Sequence, residues 1–314
     1  MVSHPFANDA KGWGNGRTIK KMALITPVNV IAALLTLVPY LAVAFFPDSA
    51  AARVRTLPAL ARLACPAALA IPYLMVASGA GVFRWGWFAL YALAPVAIAL
   101  LLGQAVRVDA DQRGDWRDFL VLAVLGLAVD LRWFERAWPA HLAVFNKILL
   151  LDAGIFGFLL IRQLDGTGFD LRLRLRDLGI GLREVAVYTP IALALGLSLG
   201  FLHWHGGWPG IAPIAGAWCF TFFLIAVPEE LFFRGWLENL LEKRLGRRGA
   251  LFLTACLFGL AHFNKRAAHF NWQYVLLAAL AGIFYGRAWR AERRVGASAV
   301  THATVDAIWS LWLR

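Results

Sequence analysis

Apolar runs of about 20 residues, the length that carries a helix across a bilayer, recur along this chain of 314 residues. Inside lipid each backbone N–H and C=O must be paired internally, so such runs fold as helices. They fall at about 22–46, 63–83, 85–103, 142–161, 185–202, 211–233, 250–263, 274–288 and 297–313. A further run, about 119–129, is too short to cross alone. Hydrophobic residues make up 60% of the chain, charged residues only 16%, and mean hydropathy is +0.63. Soluble domains average about 45–50% apolar and about 25% charged. The expected fold is all-α, a polytopic transmembrane helical bundle of about 8–10 spans.

The net charge of +12 would suggest nucleic acid in a soluble protein. Here the basic residues sit between apolar runs: Arg172, Arg174 and Arg176; Lys243, Arg244, Arg247 and Arg248; Arg287, Arg290, Arg293 and Arg294. That placement fits cytoplasmic loops against anionic lipid heads and argues against a nucleic-acid partner. Lys20 and Lys21 precede the first run, which is too long for a signal peptide. The expectation is an uncleaved first span with its N-terminus in the cytoplasm, behind a flexible tail at 1–21. If that tail and the 172–176 connector share a side, an even number of crossings separates them. The 119–131 segment is then re-entrant or interfacial, and nine spans result. The connector itself, with arginine at alternate positions, reads as a strand-like or amphipathic surface piece. Three cysteines show no metal or disulfide spacing. Many of the 14 tryptophans lie near run ends, as an interfacial belt does.

Some polar residues contradict their apolar surroundings. Pro228-Glu229-Glu230-Leu231-Phe232-Phe233-Arg234 ends the 211–227 run. One charge at mid-bilayer costs ~2.5–3.5 kcal/mol, so three facing lipid would cost ~8–10 kcal/mol. Glu230 and Arg234, four apart on a helix, can pair. Glu229 is turned about 100° away and stays free to hold a water or a proton. The bland alternative is a surface ion pair. His262 ends Phe258-Gly259-Leu260-Ala261-His262, and His302 and Asp306 share a face of the last run. A histidine with an adjacent carboxylate has its tautomer fixed for catalysis or metal binding; helix–helix hydrogen bonding is the plainer account. Convergence of three helices on one polar cavity explains all three signals together.

Such a set can activate a water and stabilise an oxyanion, which describes peptide hydrolysis without a serine, cysteine or threonine nucleophile. Ser298 lies near His302, but nothing marks it as activated. Glu229, His262 and His302 could instead ligate zinc with an open water position. An ion-coupled transporter and a catalytically silent scaffold are the competing classes. The span at 142–161 is unusual in holding Asn146, Lys147 and Asp152.

The ordered motifs Glu-Glu-x-x-x-Arg (Glu229, Glu230, Arg234), Phe-x-x-x-His (Phe258, His262) and His-x-x-x-Asp (His302, Asp306) resemble the CPBP family of CAAX proteases and bacteriocin-processing or immunity (Abi) proteins. The resemblance covers about 211–313. It implies an intramembrane endopeptidase of glutamic type, with an all-helical fold and a cavity reached from the cytoplasmic side. By motif, Glu229 is the general base, His262 assists it, and His302 with Asp306 forms the oxyanion pair. Glu230 and Arg234 support them. Family members with asparagine at the place of Asp306 have an N–H donor there; an ionised aspartate cannot donate, so here it would orient His302. No cofactor is implied, with zinc left open. The expected partners are a lipid bilayer and a membrane-associated or lipidated protein or peptide substrate. The expected location is a bacterial inner membrane. Residues 185–314 form the expected catalytic core, and 1–184 a membrane region without an assigned role.

Overall fold

The computed structural model describes residues 26–139, 142–265 and 269–313. Among these it holds helices and no strand. The expected tail at 1–21 lies outside the described residues. Six helices are long and apolar enough to cross a membrane, and the protein is a multi-pass integral membrane protein. Large apolar side chains such as Leu34, Val38 and Leu93 are exposed, as lipid-facing positions should be.

Helix α1 (Pro27–Phe45) starts where Pro27 needs no N–H partner and Thr26 accepts from the Asn29 amide. A short α2 (Pro47–Arg55), then α3 (Ala59–Ala64) and α4 (Ala70–Gly79), lead to α5 (Trp85–Val108). Asp115 and Asp118 form a reciprocal capping box that opens α6 (Trp116–Asp130). Helix α7 (Val144–Ile155) runs on as π-helix through Ile161. After it come α8 (Leu175–Ser198) and the long run Ile211–Leu260. That run contains α9 (Ile211–Thr221), α10 (Val227–Glu230) and α11 (Asn239–Leu260), with π-helical stretches at Phe222–Ala226 and Leu231–Glu238. Helices α12 (Trp272–Glu292) and α13 (Val295–Trp312) close the chain.

The run Ile211–Leu260 is a hairpin. On a straight helix Phe233 and Phe258 would stand ~37 Å apart at ~1.5 Å per residue. Their rings are 5.0 Å apart. The reversal falls at Gly246, whose φ of 68° and ψ of 171° suit glycine alone. The two expected spans and the basic connector between them are therefore as the sequence implied.

Four connectors meet on one face. Arg162 binds Asp109 (2.6 Å) and Asp118 (3.1 Å). Arg244 donates to the Gly114 carbonyl, and Asn239 to that of Asp165 (2.6 Å). Arg294 binds Asp177 (2.9 Å) and Asp170 (3.2 Å), and Arg176 binds Glu292 (2.6 Å). The 162–174 connector is extended but forms no sheet; the Leu171 amide donates to Ala44 O (2.9 Å), near the end of α1.

That last contact corrects the parity reading. The end of α1 lies at the basic face, so Pro27 lies at the opposite one. Helix α1, the α3–α4 segment, α5, α6 and α7 make five passes before the 172–176 connector, an odd number. The segment expected to be re-entrant is the outgoing leg of an α6–α7 hairpin. Its 15 residues pack against Phe232 at Gly126 and against α7, where Leu125 meets Gly154. Buried apolar residues from Ala32 to Ala303 form one continuous core across both halves.

Candidate active site

The motif carbonyls and amides lie in an irregular stretch of helix. Pro228 supplies no N–H to the turn before it, and π-helix flanks α10 on both sides. Such widened turns concentrate at functional sites. As the 100° offset implied, the two glutamates separate. Glu230 is fully buried, whereas the Glu229 side chain is 28% exposed. Arg234 Nε donates to Glu230 Oε2 at 3.0 Å.

The ring of His302 is fixed on several sides. Its Nδ1 lies 2.8 Å from Glu230 Oε1. A carboxylate accepts, so Nδ1 carries the proton. Tyr285 stacks on the ring at 4.6 Å, and Phe258 meets it edge-on at 5.6 Å. Nε2 is thereby aimed between Asp306 Oδ2 (3.6 Å) and Glu229 Oε2 (3.9 Å). Both distances exceed a direct hydrogen bond, but catalytic contacts in an unliganded site often tighten only on substrate. Glu230 orients His302; Asp306 shares the open side of the ring with Glu229.

His262 follows α11, with Nδ1 2.8 Å from Phe258 O. A carbonyl only accepts, so Nδ1–H donates and Nε2 keeps its lone pair. The ring packs on Tyr274 (4.8 Å) and Phe258 (5.0 Å). His262, His302 and Asp306 line one end of a cleft with ≈ 690 Å³ of open space. The remaining walls are mostly apolar, including Leu193, Leu277, Val305 and Trp309. Among the described residues no group of three His, Cys, Asp or Glu side chains stands close enough together to hold a metal ion in this conformation.

Three residues that the sequence singled out without a role have neighbours here. Ser298 donates to Glu230 Oε2, with Tyr285 O as a second acceptor at 2.9 Å. It stands behind Glu230. Its place four residues before His302, on the same face, was the available signal. Lys147, from the unusual span, lies within electrostatic range of Glu229 and Lys265. Asn146 is structural, accepting from Tyr91, which accepts from Trp138 (3.2 and 2.7 Å).

The fold and site together define a membrane-embedded helical bundle with a buried carboxylate–histidine centre. Residues 211–308 match the family model described as Type II CAAX prenyl endopeptidase Rce1-like. The match falls on the segment where the motifs resemble the CPBP family. No curated protein and no solved structure matches the chain.

Proposed function

We propose that this protein is an intramembrane endopeptidase that hydrolyses a peptide bond of a membrane-associated or lipidated protein or peptide. The observation that carries the reading is the arrangement of Glu229 and Asp306 about His302 Nε2, backed by Glu230, at the end of an apolar cleft. An apolar cleft suits a substrate segment or lipid drawn from the bilayer.

In this reading Glu229 takes a proton from water as the oxygen attacks the scissile carbonyl carbon. His262, with its free Nε2, helps hold that water. In this reading His302 is doubly protonated between the Glu230 carboxylate and those of Asp306 and Glu229, and the oxyanion accepts from its Nε2–H. As the C–N bond breaks, the proton on Glu229 passes to the leaving amine. Each step uses side chains already present, so no cofactor is required. The strongly basic connectors suit the anionic cytoplasmic surface of a bacterial inner membrane.

The test compares membrane-protein termini in cells making the native protein or Glu229→Gln at equal level. Termini that appear only with the native protein are expected, with loss of a general base costing about 10²–10⁴-fold in rate. Equal termini in both, with altered ion or solute flux in the variant, would replace the protease by a transporter. A chelator should leave cleavage intact; loss restored by Zn²⁺ would overturn the glutamic mechanism.

A further inference from the structure

We infer that Glu238 and Arg290 are positioning residues for the reaction proposed above: they hold the Arg234 guanidinium to one side, so that Glu230 keeps one oxygen for His302. The inference rests on that proposed function for its kinetic consequence, but its geometry stands independently. Arginine ordinarily meets a carboxylate through two parallel N–H···O bonds. Arg234 does not. Only Nε reaches Glu230, at Oε2, while Nη1 turns to Glu238 Oε2 at 3.3 Å. The fork is split between carboxylates one turn below and one turn above it. Glu230 Oε1 is left to accept from His302 Nδ1. Released from Glu238, the guanidinium could close on both Glu230 oxygens and compete with the histidine.

Glu238 is itself held. Arg290 Nε donates to its Oε1 at 2.6 Å, and Arg290 Nη2 stands 2.9 Å from Glu242. Its carboxylate fits against α12 because residue 286 is glycine. An alanine Cβ there would press on the Leu251 side chain and would lie 2.9 Å from Oε2 and 3.3 Å from Oε1 of Glu238. Gly286 and Arg290 are four apart and present one face of α12. Glu230, Arg234 and Glu238 are all fully buried. A plain helix-neutralising role would require neither the split fork nor the glycine slot.

The experiment uses the full-length protein in proteoliposomes, native and Glu238→Gln, with ¹⁵N-labelled histidine and His302 assigned by difference from His302→Gln. Nitrogen NMR should show the His302 Nδ1 resonance moving in Glu238→Gln while that of His262 stays. Gly286→Ala keeps every charge yet displaces the carboxylate, and should move the same resonance. Arg290→Lys keeps the charge but loses the Nε contact, and should shift it less; it serves if Glu238→Gln does not fold. An unmoved His302 resonance in the folded variants overturns the inference. Where the native protein cleaves, kcat should fall about ten- to a hundredfold with KM unchanged, and Glu238→Asp should recover part of it. Equal loss through KM alone would also count against positioning. If the native protein cleaves nothing, the protease reading fails, and the NMR result still decides this one.

Discussion

Glu229 and Glu230 adjoin in sequence yet face different surroundings, because ~100° separates successive residues on a helix. One is partly exposed; the other is sealed behind Arg234, Ser298 and His302. The variants should separate their duties. Glu230→Gln removes the charge that fixes His302 and should lower the cleavage rate by about 10²-fold. Asp306→Asn should keep it within about tenfold, since the amide offers an N–H on the same side. Rates of terminus formation in membranes check both, and a larger loss in Asp306→Asn than in Glu230→Gln would reverse their roles. Asp152 offers a contrast: it is buried on α7, and neither oxygen has a hydrogen-bond partner among the described residues. Burying an unpaired polar group costs stability, so Asp152→Leu should stabilise by about 1–3 kcal/mol, read as a raised unfolding midpoint in detergent. The motif residues were legible because each is a costly polar group in an apolar run. Which carboxylate orients His302 was not, since Glu230 and His302 are 72 residues apart and only packing decides which oxygen meets which nitrogen.

At the scale of the element, the hairpin at Gly246 brings Phe258 and His262 back beside the glutamate helix. Alanine at that φ and ψ is strained by about 1–3 kcal/mol. Gly246→Ala should therefore lower the unfolding midpoint, and should disturb cleavage only as far as the hairpin opens. The reversal could be anticipated from the basic cluster around it, which cannot lie in lipid. The widened π turns could not. A 3.6-residue pattern and a slightly slacker one share most of their apolar positions over eight residues, so hydropathy does not distinguish them. Gly282 and Gly286 read as permissive of close helix approach. The first does this, its Cα facing Ala255; the second makes room for the Leu251 side chain and also for the Glu238 carboxylate, a use that spacing alone does not reveal. Helix α6 was misjudged because length was weighed without its neighbours: 15 residues are short against lipid but adequate inside a hairpin.

For the whole molecule, charge pairing on the basic face joins segments far apart in the chain. Asp170 there is raised by burial but held down to about 2, below its ordinary 3.8, by hydrogen bonds from Arg172 and Arg294. A depressed carboxylate contributes its full stability above about 3.8 and loses it as pH falls through about 2. Unfolding midpoints should therefore drop across that window, and Asp170→Asn should flatten the drop. The corrected orientation of α1 also makes a topological prediction. Single cysteines replacing Val28 and Arg247, in a background without the native three, should be labelled from opposite sides of the membrane; labelling from one side would restore the even parity. The order of synthesis gives the buried ion pairs another significance. His302 leaves the ribosome 72 residues after Glu230, about 4–14 s later at ~5–20 residues per second. Until Arg290 follows, Arg234 alone, supplied by the same helix, can shelter Glu230 and Glu238 on either side of it. The nascent hairpin carries its own counter-charge into the bilayer, and the centre stays unarmed until the last helix arrives.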